Sequence, residues 1–206
     1  MDIIFNTEPI QLLASGAVFL KESSSLILSD LHLGKGTQLQ DNGVPLIDQI
    51  DQSTIDKLLL DLKTLKPKQC IICGDLIHVK TKNLAQQLSW FENKLQTIKS
   101  TFILTIGNHD HKDSYKHLPS FKIVENYKIN NMYCSHFNLD QKVSISGHVH
   151  PGVKIKKGRI TKYFKAFAIS KSNITLPSYG NTAGIYSKLD PSKTYYYINK
   201  NKIIKF

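Results

Sequence analysis

The sequence predicts an α/β protein folded as one domain over residues 1–206. Three observations predict it. Over the first 120 residues, apolar runs alternate with amphipathic segments as strand–helix–strand–helix–strand, the signature of a sheet with parallel strands. From about residue 121 the chain changes to short strands separated by turns, which reads as mostly antiparallel sheet. No internal repeat and no low-complexity linker divides the halves.

The elements follow in order. Residues 10–13 and 17–20 form a hairpin around Ser15-Gly16, and "SLILSD" (25–30) is a short apolar strand. Residues 53–65 are helical, because Ile55, Leu58, Leu59, Leu62 and Leu65 recur at helical spacing. Ser53 with Asp56 reads as a capping box, and Pro67 stops the helix. "KQCIICGD" is the next strand. Residues 83–99 form a second helix with Leu84, Leu88, Phe91, Leu95 and Ile98 on one face. "STFILTIGN" is the third strand. Later strands fall at 121–124, 127–135, 143–146, 153–156, 163–169, 174–176, 194–198 and 202–206.

Apolar residues make up 41% of the 206, enough for a sizeable core and against disorder. No apolar run approaches a bilayer span. The N-terminal "MDIIFNTEPI" has no basic residue, which is the wrong start for a secretory signal. The expectation is a soluble, cytoplasmic protein without membrane association. Cys70, Cys73 and Cys134 are too few, and odd in number, for a disulfide framework. Cys70 and Cys73 form C-x-x-C, but in a strand residues three apart face opposite ways, so they read as core residues and not as a zinc or redox pair.

Formal net charge is +11 and is unevenly spread. Residues 1–150 hold 15 Lys and 15 acids, which cancel, whereas residues 151–206 hold 12 basic residues against Asp190 alone. Such a tract suits a phosphate-rich partner such as nucleic acid. It equally fits a chain rich in Lys, Ile and Asn that has a single Arg, Arg159. Charge by itself does not separate the two.

Chemistry gathers at the strand ends. The strand at 25–29 runs into Asp30 and His32, that at 69–73 into Asp75 and His78, and that at 101–106 into Asn108, His109, Asp110 and His111. Later strands run into His136, and into His148 and His150. Ligands of open α/β sheets bind beyond the carboxyl ends of parallel strands. In extended chain, i and i+2 point to one side, so Asp30 with His32, and His148 with His150, can each converge. These nitrogen and oxygen donors suit Mn, Fe, Ni or Zn rather than a thiolate cluster or a calcium cage. A structural role alone leaves unexplained why so many groups that are costly to desolvate meet at one rim.

The ordered set "DLHLGK", "GDLIH", "GNHD", His136 and "GHVH" resembles the calcineurin-like metallophosphoesterase superfamily over residues 25–152. With "GVP", "SWF", "ISGHVHPGV" and "LPSYGNTAG", it is most similar to the bacterial DNA-ligase-associated metallophosphoesterases. Two stretches depart from that group. "LQDNGVP" has Gln40 near where an Arg is common, and His136-Phe137-Asn138 stands where His, then His-x-Pro, is common.

The resemblance implies a four-layer αββα sandwich of mixed sheets with a dinuclear site at strand C-terminal ends. It implies two divalent ions, Mn²⁺ foremost. Asp30, His32, Asp75 and His150 would hold one ion; Asp75, Asn108, His136 and His148 would hold the other, with Asp75 bridging. Two such ions clamp the attacking and leaving oxygens of an in-line displacement and supply a nucleophile from water. His109 then protonates the leaving oxygen or stabilises phosphoryl charge, and Asp110 orients its imidazole. Lys35 either contacts phosphate or is a solvated lysine, and His78 and His111 have no assigned role. The resemblance further implies a phosphodiesterase or nuclease acting on nucleic acid or nucleotides, in DNA repair and linked to a DNA ligase and a helicase. The alternatives are a hydrolase of small phosphorylated metabolites and a non-catalytic binding module.

Overall fold

The structure, a computed structural model, describes residues 1–44, 50–78 and 84–206. Pro45 of "GVP" and residue 83, where the second helix was expected to begin, lie outside the described residues.

Seven strands lie in chain order in the first sheet: β1 (Asp2–Phe5), β2 (Glu8–Leu12), β3 (Val18–Leu20), β4 (Ser25–Leu28), β5 (Gln69–Cys73), β6 (Thr101–Thr105) and β7 (Phe121–Val124). β1 to β4 pair antiparallel, and β4 to β7 pair parallel. The β2–β3 hairpin turns at Gly16, whose φ of 99° suits glycine. Helices α1 (Lys35–Asp41), α2 (Ile50–Leu65) and α3 (Leu84–Leu95), with a 3-10 helix at Lys112–His117, join the parallel strands.

The apolar runs of β4, β5 and β6 are continuous because both faces are buried. Leu26, Leu28, Cys70, Ile72, Phe102 and Leu104 pack with α2 residues Leu58 and Leu62 and α3 residues Leu88 and Phe91. Ile27, Ile71, Cys73 and Ile103 face the second sheet. Cys70 and Cys73 therefore do lie on opposite faces, both buried and free. Burial of each Ile or Leu here contributes about 1.5–3 kcal/mol.

The second sheet contains β8 (Asn126–Ile129), β9 (Met132–Ser135), β10 (Ser144–Ser146), β12 (Ile160–Ile169), β13 (Asn173–Thr175), β14 (Thr194–Asn199) and β15 (Lys202–Lys205), ordered β15-β14-β12-β13-β10-β9-β8. β11 (Gly152–Lys157) pairs with the first half of β12. Met132, Cys134, Ile145, Phe167 and Ile174 face the first sheet across one shared core.

Several expectations are corrected. The strand at 121–124 belongs to the first sheet. Its Phe121 ring packs 5.5 Å from Phe102 and 6.1 Å from Phe91, which seats it beside β6. The second sheet is mostly antiparallel as expected, but β9, β10 and β13 at its centre run parallel. The run at 127–135 is two strands, turned at Asn130 with φ 50°. β1, α1 and the 3-10 helix were not foreseen. α2 begins at Ile50, before the expected capping box, and Asp51 instead accepts N–H bonds from Gly34 (3.1 Å) and Gly36 (3.4 Å) at the start of α1. The two-sheet α/β sandwich is present as expected, but among the described residues no helix covers the second sheet's outer face. A small cluster of Val153, Ala166, Ala168 and Tyr195 lies there, backed by Ile155, Phe164 and Tyr197. No described helix is long and apolar enough to cross a membrane.

Candidate metal centre

The strand ends deliver the expected residues to one place. Asp30 and His32 follow β4, Asp75 follows β5, Asn108 and His109 follow β6, His136 follows β9, and His148 and His150 follow β10. Convergence does not come from extended chain, as the spacing had suggested. Asp30 (φ 56°), His32 (52°), Asp75 (51°), His148 (69°) and His150 (51°) all adopt the left-handed backbone that L-residues seldom occupy. Such strain persists only where the surroundings over-determine it, and it concentrates at functional sites.

The surroundings do this with backbone hydrogen bonds. Asp30 N–H donates to Gly74 O (3.1 Å), and His32 N–H to Asp75 O (3.0 Å). His148 N–H donates to Asp30 Oδ2 (3.0 Å), and His109 N–H to Asp75 Oδ1 (2.9 Å). Gly74, at φ 75°, lies so close to the His136 ring that a Cβ would overlap it. Asp30, His32, Asp75 and His136 are buried, whereas Asn108 and His148 are exposed, so the cluster opens to solvent on their side.

Donor atoms crowd into two groups. In the first, His150 Nε2 is 3.1 Å from Asp30 Oδ1 and 3.2 Å from His32 Nε2, which is 3.8 Å from Asp30 Oδ1. In the second, His136 Nε2 is 2.8 Å from Asn108 Oδ1 and 3.2 Å from His148 Nδ1. Asp75 Oδ2 lies between them, 3.9 Å from His32 Nε2 and 3.5 Å from His136 Nε2.

Protonation tests whether a cation fits. His136 Nδ1 lies 3.1 Å from the Cys73 carbonyl, which can only accept, so Nδ1 carries the ring proton. His136 Nε2 then faces Asn108 Oδ1 at 2.8 Å, so the two atoms are placed to share one cation. Burial pushes the His32 imidazole down to about 3, which leaves it neutral with a lone pair to offer. Burial, then nearby His136, lowers His148 likewise. Burial opposes ionisation of Asp30, yet the hydrogen bond and charge of His150 hold its carboxyl below the ordinary range. Burial raises Asp75. The residues fit a pair of divalent ions.

Asp110 is placed otherwise than expected. Its Oδ2 accepts N–H bonds from Gly107 (2.9 Å) and Asp75 (2.9 Å), and its Oδ1 from Ile77 (3.0 Å). Both oxygens are thus engaged by backbone, and the carboxylate ties the β5 and β6 loops together instead of orienting His109. Burial pushes its pKa up to about 6. The half-exposed His109 ring lies 5.4 Å from the ring of His32.

Sequence reasoning passed over two side chains here. The His78 ring lies 4.4 Å from that of His109, and its Nδ1 is 3.0 Å from His32 Nδ1. Its place three residues after Asp75, on the same loop, was the available signal. Phe137, half exposed, packs its ring 4.8 Å from His136 and 4.7 Å from His148. Lys35, at the start of α1, is close enough for its charge to act on His32 and His78. His111 is exposed at the start of the 3-10 helix.

A two-sheet sandwich whose strand ends gather carboxylates, imidazoles and an amide into two adjoining donor groups defines the class: an α/β protein with candidate metal-binding groups at its strand ends. Residues 24–189 match the family model of the calcineurin-like phosphoesterases, and the chain belongs to that family of metal-dependent phosphoesterases. Its fold is similar to the crystal structure of Pseudomonas putida nuclease MPE, with a TM-score of 0.81 at 19% identity over 100% of this chain and 99% of that one. A phosphoesterase from E. coli, Yfce, aligns at 16% identity and a TM-score of 0.47 over 87% of this chain and 96% of that one. None of the curated proteins compared matches the chain by sequence.

Proposed function

We propose that this chain is a two-metal phosphodiesterase acting on nucleic acid or nucleotides, a nuclease of DNA repair. One observation carries the proposal: His136 Nε2 lies 2.8 Å from Asn108 Oδ1 and 3.5 Å from Asp75 Oδ2, beside a second group of Asp30, His32 and His150, so the donors converge as for metal ions.

Asp30, His32, Asp75 and His150 would hold one ion, and Asp75, Asn108, His136 and His148 the other. Asp75 would serve both, and its Oδ1 accepts the His109 amide N–H. When bound, the pair supplies Lewis acidity and an activated water for in-line displacement at phosphorus. His109 stands at the open rim and donates a proton to the leaving oxygen. His78 holds the imidazole of His32, and Asp110 holds the loops that present Asp75 and Asn108. The intact donor set, with His109 present, supports an enzyme over a binding module. The basic last quarter of the chain supports a polymeric substrate over a small phosphorylated metabolite. The likeness in fold to a nuclease, together with the ligase-associated motifs, supports repair in the cytoplasm alongside a DNA ligase and a helicase. Manganese is the ion we assign, in keeping with the mixed nitrogen and oxygen donors.

The test is turnover of a chromogenic phosphodiester and its monoester counterpart by metal-stripped protein refilled with Mn²⁺. The diester turns over only with metal, and His109→Ala lowers kcat about 10²–10⁴-fold while binding as much metal as the wild type. Undiminished turnover by His109→Ala would remove its role as the acid. No turnover with any divalent metal would remove the reading as an enzyme.

A further inference from the structure

β12 is longer than the sheet that holds it. Ala168 pairs with Thr175, the last residue of β13, and Ala166–Ile169 pair with β14. The stretch from Lys165 back to Ile160 pairs with β11. β12 runs antiparallel to β13, which is parallel to β10 and β9. The overhanging β11–β12 hairpin therefore projects past the C-terminal ends of β9 and β10, the edge from which His136, His148 and His150 emerge. The β11-paired part from Lys165 to Ile160, which lies beyond that edge, is about 17 Å long.

Its two faces differ. Odd-numbered β12 residues face the first sheet, as Phe167 does in the shared core. On that face Lys165 donates to the carbonyls of Ser178 (2.8 Å) and Gly180, and the Gly180 amide in turn donates to Asp30 O (2.9 Å). The face is thus continuous with the metal-ligand turn. Beyond Lys165 the first sheet no longer covers it, and Tyr163 is 52% exposed. Tyr163 pairs across the hairpin with Lys154, whose ammonium lies 5.9 Å from its ring, and Lys156 follows on the same face. Lys157, Arg159 and Lys162 are also exposed, and no acid lies between residues 151 and 165. An exposed ring flanked by ammonium groups is what an unpaired base and its neighbouring phosphates require.

We infer that the β11–β12 hairpin is a strand-guiding arm, which stacks a base on Tyr163 and holds flanking phosphates with Lys154 and Lys156 as a single nucleic-acid strand leaves the metal centre. The inference rests on the proposed phosphodiesterase reading and deepens it. An anionic membrane surface would also attract the lysines, but the arm's root in the metal-ligand turn and its exposed ring favour the strand.

The test is fluorescence anisotropy of a labelled 12-nucleotide single strand with the full chain, in EDTA to silence cleavage, over a range of salt. Wild type binds, and Lys154→Ala/Lys156→Ala lowers the slope of log K against log salt by about 1.4. Tyr163→Ala weakens binding at least about fivefold, and Tyr163→Phe restores it. Lys63→Ala/Lys94→Ala, which removes the same charge from the helical layer, leaves affinity unchanged. Any of three results overturns the arm: wild-type affinity in the hairpin variants, an equal loss in the helical-layer control, or a loss confined to phosphatidylserine vesicles. Wild-type turnover of the chromogenic diester reads the metal centre separately, so failure of the arm and failure of the enzyme reading are distinguishable.

Discussion

At the scale of single residues, the convergence of the candidate ligands was legible because i, i+2 pairs of Asp and His after apolar runs are hard to explain by packing. What spacing could not convey was backbone conformation. Asp30, His32, Asp75, His148 and His150 converge through left-handed φ values, which no residue-type pattern announces outside glycine. Neither could adjacency to His109 reveal the partners of Asp110, since Asp75 and Ile77 come from another loop. Asp110→Ala leaves three backbone N–H groups unpaired and is expected to cost at least about 2 kcal/mol in urea unfolding. Loss of turnover at wild-type stability would instead return Asp110 to the role of orienting His109. His78→Ala frees the His32 ring, and Mn²⁺ affinity is expected to fall about 10–100-fold. An unchanged titration would make His78 a bystander.

At the scale of elements, strands buried on both faces were easiest to read. β5 and β7 have the expected bounds, and β4 and β6 differ by a residue or so at their ends. β1, α1 and the parallel centre of the second sheet were not legible, because short segments take their pairing from tertiary neighbours. One loop matters more than its length suggests. Tyr179 N–H donates to Ser29 O (2.8 Å) and Gly180 N–H to Asp30 O (2.9 Å), so residues 179–180 brace the turn that carries Asp30 and His32. A Cβ at Gly180 would overlap the Leu31 carbonyl. Gly180→Ala is therefore expected to lower Mn²⁺ affinity more than tenfold while far-UV circular dichroism stays native. Wild-type affinity would show that the turn holds its shape without the brace.

At the scale of the whole molecule, two lysines tie the layers together behind the metal centre. Lys57 of α2 donates to Ser15 O (3.0 Å) and Tyr179 O (2.7 Å), and Lys165 of β12 holds Ser178 and Gly180. Burial, then their mutual repulsion, pushes Lys57 down to about 7, and burial pushes Lys165 down to about 8. In the unfolded chain both titrate near 10.4. From about 7 to 8.5 the unfolded state binds more protons at these lysines, so stability rises with pH; above that the buried Cys70 and Cys73 thiols, held protonated by the fold, oppose the rise. The expected outcome is a melting temperature that climbs from pH 7 to 8.5, with a shallower climb in Lys57→Met. A parallel climb in that variant would locate the pH dependence elsewhere. The whole arrangement, with two sheets sharing one core and seven side chains meeting at their common edge, stands or falls on the metal pair. The most direct measurement is titration of metal-stripped protein with Mn²⁺, followed by electron paramagnetic resonance. Two ions per chain with a spin-coupled spectrum are expected, since Asp75 is shared. One ion per chain, or two giving the spectrum of isolated Mn²⁺, would contradict the account.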